Sequence, residues 1–269
     1  MKPKEIKELS CLAQNILNNN TGYYKNKIII KDLFDNSEDI ALRLRVVDSM
    51  YSTSISRRLF GFDDLEKKIK KTFGNCSDQE AKDEINNYLN NNNSDRIDSL
   101  FRSTYGMNKL CTIKKKATSV ISKYLYFMND FEFPIFDKLV KNSYEFFEGN
   151  KLDEANYLKK LRDFKEDNKI DTYDKLDNML WLVGKIKKGS LSLIIDRDNY
   201  VDLIDTIGRD YFKPANNEEK GKLKSEEIDG IISCYMQKSN NLSNLEEKRI
   251  LSSDLVCFIK KILPSCTKQ

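Results

Sequence analysis

Three consecutive lysines, Lys114, Lys115 and Lys116, stand ahead of a run in which Ile113, Ala117, Val120, Ile121, Tyr124, Leu125 and Met128 recur at helical spacing. Asp137 follows that run after Phe133-Pro134. The spacing predicts that the lysines open a packed helix, with like charges crowded at the positive end of its dipole, an arrangement that disfavours the ammonium form. A lysine amine that frees its lone pair is a nucleophile. Proline disfavours helical geometry in the residue before it, so the helix must end before Pro134, with Asp137 at or near the start of the next one. A carboxylate delivered there could stabilise a cation forming beside it, or hold a lysine in place. That pairing suits attack at a sugar C1′ atom, where positive charge builds as a base departs. Lys123, two turns along from Lys116 on the same face, is a third candidate. Each residue also has a plainer use: a solvated charge run for Lys114 to Lys116, a helix cap for Asp137, an ion pair across a helix interface for Lys123.

The elements that must position these groups follow from composition. The chain has 269 residues, 39% of them apolar and 33% charged, with only 10 glycines and 4 prolines, and its mean hydropathy is −0.61. Few chain breakers and many charges favour long helices with solvated faces, so the expected class is all-α, with a length that fits one domain or two helical subdomains. Histidine is absent, which removes the usual acid-base side chain near neutral pH and the commonest zinc ligand. The six cysteines, Cys11, Cys76, Cys111, Cys234, Cys257 and Cys266, are scattered without metal-knuckle spacing. We expect no metal and no cofactor, reduced thiols and a cytoplasmic setting. No apolar run approaches the roughly 20 residues of a membrane span. The 46 basic and 42 acidic residues nearly cancel, so binding to nucleic acid depends on local clustering.

Helical patterns are read through Ile6, Leu9, Ala13, Ile16 and Leu17, then through Ile40, Leu44, Val47, Met50 and Tyr51 with Ser37 or Asn36 as N-cap. Others cover residues 63–72, 81–89, 95–105, 113–128, 139–147, 153–164 and 176–185. Residues 28–30 read as a short strand or extended segment, and residues 90–94 as an exposed loop. Beyond Pro214 the tract NNEEKGKLKSEE is a solvated connection to the helical patterns that follow; residues 1–213 read as one helical domain and residues 214–269 as a helical extension, either separate or part of the same domain. Further helical patterns fall near residues 200–207, 228–236 and 251–263.

Ser122-Lys123-Tyr124-Leu125 and Phe133-Pro134-Ile135-Phe136-Asp137 resemble the Ser-Lys-Tyr-Leu and Phe-Pro-Ile-Tyr-Asp of bacterial proteins with an 8-oxoguanine DNA glycosylase-like fold, within the helix-hairpin-helix DNA glycosylases. Lys115-Lys116-Ala117 matches the Lys-x-Ala that opens the helix after the hairpin in that superfamily. Residues 46–53 look like its early helix, and residues 176–185 like a segment of the bacterial group. The resemblance covers residues 40–185 and is most specific over residues 122–137. It implies a helical, DNA-binding protein that excises a flipped base, with Lys115 as nucleophile and Asp137 as catalytic aspartate. The chain departs from the family at residues 109–113, where Lys-Leu-Cys-Thr-Ile replaces a glycine-rich hairpin that grips phosphate.

The sequence therefore predicts a DNA glycosylase and AP lyase acting on double-stranded DNA. Its catalytic candidates are Lys115, Asp137 and Lys123; its DNA contacts are Lys114, Lys116, Ser52, Thr53, Arg57 and Arg58. The competing readings are a non-catalytic nucleic-acid-binding module on the same scaffold and a helical protein interaction module.

Overall fold

The computed structural model describes residues 1–19, 21–51, 62–74, 76–91, 94–106, 114–188, 254–255 and 257–262. The described chain is mainly α-helical, in the order α1 (Pro3–Asn18), α2 (Thr21–Asn36), α3 (Ile40–Met50), α4 (Phe62–Phe73), α5 (Asp78–Asn91), α6 (Asp95–Arg102), β1 (Tyr105–Gly106), β2 (Lys114–Lys115), α7 (Thr118–Met128), α8 (Lys138–Glu148), α9 (Tyr157–Asp167) and α10 (Tyr173–Lys188). The two short strands pair antiparallel, Tyr105 opposite Lys115 and Gly106 opposite Lys114. No described helix is long and apolar enough to cross a membrane.

The chain divides into two compact units, neither continuous in sequence. The first comprises residues 1–25, 138–152 and 163–269, so far as these are described. In it α1 and α8 pack on α10. Helix α1 begins with Pro3 at its first position, where the missing N–H costs nothing, and buries the stripe Ile6, Leu9, Ala13, Ile16 and Leu17. Helix α10 answers with Leu176, Met179, Leu180, Val183 and Ile186. Gly184 lets α8 approach: a Cβ added there would lie 2.9 Å from Leu139 Cβ and 3.0 Å from Ser143 Oγ. Ser143 uses the proximity to donate to the Leu180 carbonyl at 2.6 Å. Near the C-terminus, Leu255, Phe258, Ile259 and Ile262 are buried, and Lys261 pairs with Glu8 of α1 at 2.8 Å.

The second unit comprises residues 26–137 and 153–162. Its centre is α7, in which every residue but Ser119 is buried, so the helix lacks a solvent face. Phe34, Tyr51 and Phe131 surround the α7 rings Tyr124, Tyr126 and Phe127 at centroid distances of 5.1 to 5.8 Å, the usual spacing of tilted and edge-to-face aromatic pairs. Helix α5 opens with a capping box, in which the Ser77 N–H donates to Glu80 Oε2 at 2.7 Å and the Glu80 N–H to Ser77 Oγ at 3.3 Å.

Several local expectations change: residues 90 and 91 close α5 instead of opening a loop, and the helix read over residues 153–164 runs Tyr157–Asp167. Residues 28–30 belong to α2, not to a strand, because burial falls on Lys27, Ile30 and Phe34 at helical spacing while Ile29 stays 53% exposed. The N-cap of α3 is Asp39, whose Oδ1 accepts from the Ala41 and Leu42 N–H groups; Ser37 instead accepts from the Asp39 N–H at 3.2 Å. Helix α6 stops at Arg102, since Tyr105 and Gly106 are drawn into the ladder. Helix α7 begins at Thr118, not near Ile113, because Lys114 and Lys115 form β2 and Ala117 is the N-cap.

Candidate functional site

The segment from Ser122 to Asp137 brings two of the predicted site residues together. Lys123 Nζ lies 3.1 Å from Asp137 Oδ2, and the two side chains are only 6% and 17% exposed. Lys123 reaches this depth because α7 is buried on all sides. Asp137 reaches it because the chain turns back after α7 through Phe133, Pro134 and Ile135, the first and last of them almost fully buried. Ser122, the neighbour of Lys123, fixes the return: its hydroxyl accepts from the Phe136 N–H at 3.1 Å and donates to the Ser119 carbonyl at 3.0 Å. The Tyr51 ring, at the C-terminus of α3, stands 5.6 Å from the Lys123 ammonium and adds a cation–π contact. Lys123 thus meets a carboxylate and an aromatic ring within one small space.

A carboxylate fixed by a neighbouring ammonium can stabilise positive charge developing on a substrate. An ion-paired ammonium has no lone pair to offer, so Lys123 fits the role of orienting Asp137 better than that of a nucleophile. Tyr124 is no acid-base group near neutral pH, as burial pushes its phenol up to about 12. Burial likewise raises the fully enclosed Tyr157 phenol well above its ordinary value, and the Tyr157 hydroxyl has no hydrogen-bond partner among the described residues.

Lys114, Lys115 and Lys116 are exposed. They stand on β2 and the short link to Ala117, ahead of the first helical residue of α7. The dipole argument for a neutral amine therefore loses its basis at these positions, since that effect is confined to the first turn. What remains is a solvated triplet of positive charge, suited to phosphate oxygens. At the start of α7 itself, the Thr118 hydroxyl bonds the Glu154 carboxylate. Ser52, Thr53, Arg57 and Arg58 lie outside the described residues, as do residues 107–113 and the helical patterns at residues 200–207 and 228–236.

Proline spacing foretold the return of the chain but not the left-handed cap that begins it. Helix α7 closes with Phe131 N–H donating to the Tyr126 carbonyl at 2.7 Å, the six-to-one bond of a Schellman cap. Asp130 takes the left-handed cap position with φ 52°, and Phe131 follows with φ 69°. Aspartate tolerates that region, whereas a bulky residue there costs about 1–3 kcal/mol. The Asn129-Asp130 pair, a dipeptide that accepts left-handed backbone after a helix, was the available local signal.

A concavity lined by Glu80, Asp83, Glu84, Asn87, Ser94, Asp95 and Arg96 contains none of the predicted site residues, and its acidic lining disfavours phosphate. Among the described residues no cluster of three or more Cys, Asp or Glu is arranged to hold a metal ion. Comparison of the chain with protein-family models, with curated proteins and with solved structures finds no match.

Proposed function

We propose that this chain is a DNA-binding protein of the base-excision type, acting on an extruded base in duplex DNA. The observation that carries the reading is the buried Lys123–Asp137 pair, formed within the segment that resembles the glycosylases. In this reading Lys114 and Lys116 neutralise backbone phosphates. Lys115, after giving its ammonium proton to water, bonds through its lone pair to C1′ as the bond from C1′ to the base breaks; the base leaves with the bonding electrons and takes a proton from water. Asp137 stabilises the positive charge on the sugar, and Lys123 keeps the Asp137 carboxylate oriented. Loss of the amine proton and opening of the sugar ring would leave an imine, from which elimination of the 3′ phosphate gives the lyase reaction.

Single-turnover base release from duplexes carrying oxidised, alkylated and deaminated bases tests this. The reading expects release from at least one of them, lowered by a hundredfold or more in Asp137→Asn at unchanged duplex affinity. No release from any of them by the folded wild-type protein would overturn it.

A second reading is favoured by the burial of Lys123: the pair then serves only to join the return segment to α7, in a module that binds nucleic acid without chemistry. It expects steeply salt-dependent duplex binding and no base release.

A further inference from the structure

The left-handed turn after α7 is held from outside by lysines of two other helices. The Asp130 carboxylate receives Lys31 of α2 at 2.7 Å through one oxygen and Lys82 of α5 at 2.7 Å through the other. Burial alone would raise the Asp130 carboxyl; the two ammoniums outweigh it and hold it below its ordinary value. Burial lowers Lys31, but its bonds to Asp130 and Asp35 outweigh that and raise it. One turn before Lys31 on α2, Lys27 is 3% exposed, with its ammonium 4.4 Å from the centre of the Phe131 ring and 5.5 Å from that of Tyr126. The Asn129 amide donates to Asn86 Oδ1 of α5 at 2.9 Å and to the Glu132 carbonyl at 2.6 Å.

These contacts converge where the backbone needs them. Phe131 is the residue least suited to its φ of 69°, and it carries the ring on which Lys27 rests. A left-handed bulky residue persists only when its surroundings fix it. Released, the chain would regain ordinary dihedrals at Phe131 and shift everything downstream of it. Downstream lie six residues ending in Asp137, tied at their far end by the Phe136 bond to Ser122. A segment anchored at both ends has a fixed register against α7, and register decides whether Asp137 meets Lys123.

We propose that Asp130, clamped by Lys31 and Lys82 and aided by Lys27 on Phe131, is a positioning residue that sets the register of the return segment and so holds the Asp137 carboxylate on Lys123. Its catalytic meaning rests on the base-excision reading; the clamp itself does not. Asp130 is half-exposed, and exposed ion pairs add little to global stability. Loss of the clamp is therefore a local event, visible at Asp137 before it is visible in unfolding.

The test uses the full chain and three variants: Asp130→Asn, the double variant Lys31→Met with Lys82→Met, and Lys123→Met as reference. Two signals are followed by NMR: the protection of the Lys123 ammonium protons from solvent, and amide exchange at Ile135, Phe136 and Asp137. The clamp predicts that Asp130→Asn and the double lysine variant both lower ammonium protection and exchange these amides at least tenfold faster, while the urea midpoint falls by less than it does in Lys123→Met. Wild-type protein in about 1 M salt, where charges act over only roughly 3 Å, should show the same trend without any substitution. It serves as the readout for a variant that fails to fold. Unchanged protection and exchange in the folded variants, or in high salt where variants do not fold, would overturn the clamp. Base release is measured alongside. Lost protection in a protein whose wild type releases no base supports the clamp and counts against the base-excision reading. Release that falls with protection supports both.

Discussion

Lys123 and Asp137 form an ion pair at 3.1 Å with both side chains largely withdrawn from water, although thirteen residues, including a proline-containing turn, separate them along the chain. A pair at this depth balances a desolvation cost against mutual attraction, so removing one partner strips a largely buried charge of that attraction.

Lys123→Met or Asp137→Asn should therefore lower stability by about 3–5 kcal/mol. Replacing both, as Lys123→Met with Asp137→Leu, should recover a large part of the loss. Urea unfolding of the three variants checks this; equal losses in the single and double variants would show that the pair is not the source.

Gly184 should not accept a side chain. A Cβ there meets Leu139 Cβ at 2.9 Å and the Leu139 carbonyl oxygen at 3.0 Å, so Gly184→Ala should cost about 1–3 kcal/mol as α8 and α10 are pushed apart. Alanine is ordinarily the better helix former, so the propensity gain opposes the loss and sets a sharp sign test. Thermal unfolding reads the result.

Two of the buried tyrosines of the second unit, Tyr88 and Tyr157, should respond in opposite ways. The Tyr88 hydroxyl donates to Asp98 at 2.8 Å, whereas the Tyr157 hydroxyl is buried without a partner among the described residues. Tyr88→Phe should cost roughly 1.5 kcal/mol, and Tyr157→Phe should be neutral or stabilising, because an unmet hydroxyl contributes only its desolvation cost. Paired denaturation curves distinguish the two.

Asp130 links stability to pH. Its folded carboxyl is held below the ordinary value of 3.8, so its contribution is fully present above that value and disappears as pH falls through the lower folded value. The difference in urea midpoint between wild type and Asp130→Asn should be small and constant from about pH 7 to 5 and shrink toward zero in more acid solution. A difference that grows on acidification would contradict the clamped state of this carboxylate.

The sequence made some of this legible and concealed the rest for identifiable reasons. Helices α1, α4, α8 and α10 announce themselves by apolar spacing, and the return of the chain at Pro134 with Asp137 just ahead of α8 follows from proline geometry. Helix α7 was legible as a helix but not at its start, since Ile113 fits the helical spacing while the two-residue ladder of Lys114 and Lys115 leaves no periodic signature. Residues 28–30 misled because a short apolar run is compatible with either element. Lys123 stood in the strongest local motif, yet only three dimensions could pair it with Asp137 in preference to Lys115. The Asp130 clamp was invisible because its partners, Lys31 and Lys82, lie 99 and 48 residues away in sequence, and no local pattern encodes such distances.

Amine attack with strand elimination, the route proposed here, requires a covalent intermediate on an identifiable amine. Borohydride reduction of the wild-type protein on a duplex carrying an abasic site, followed by mass-spectrometric mapping of the adduct, reads that amine directly. The account predicts a trapped adduct on Lys115, abolished in Lys115→Ala and preserved in yield when Lys114→Ala or Lys116→Ala weakens duplex binding alone. No adduct from folded protein bound to the duplex, or an adduct spread over the surface lysines, would contradict it.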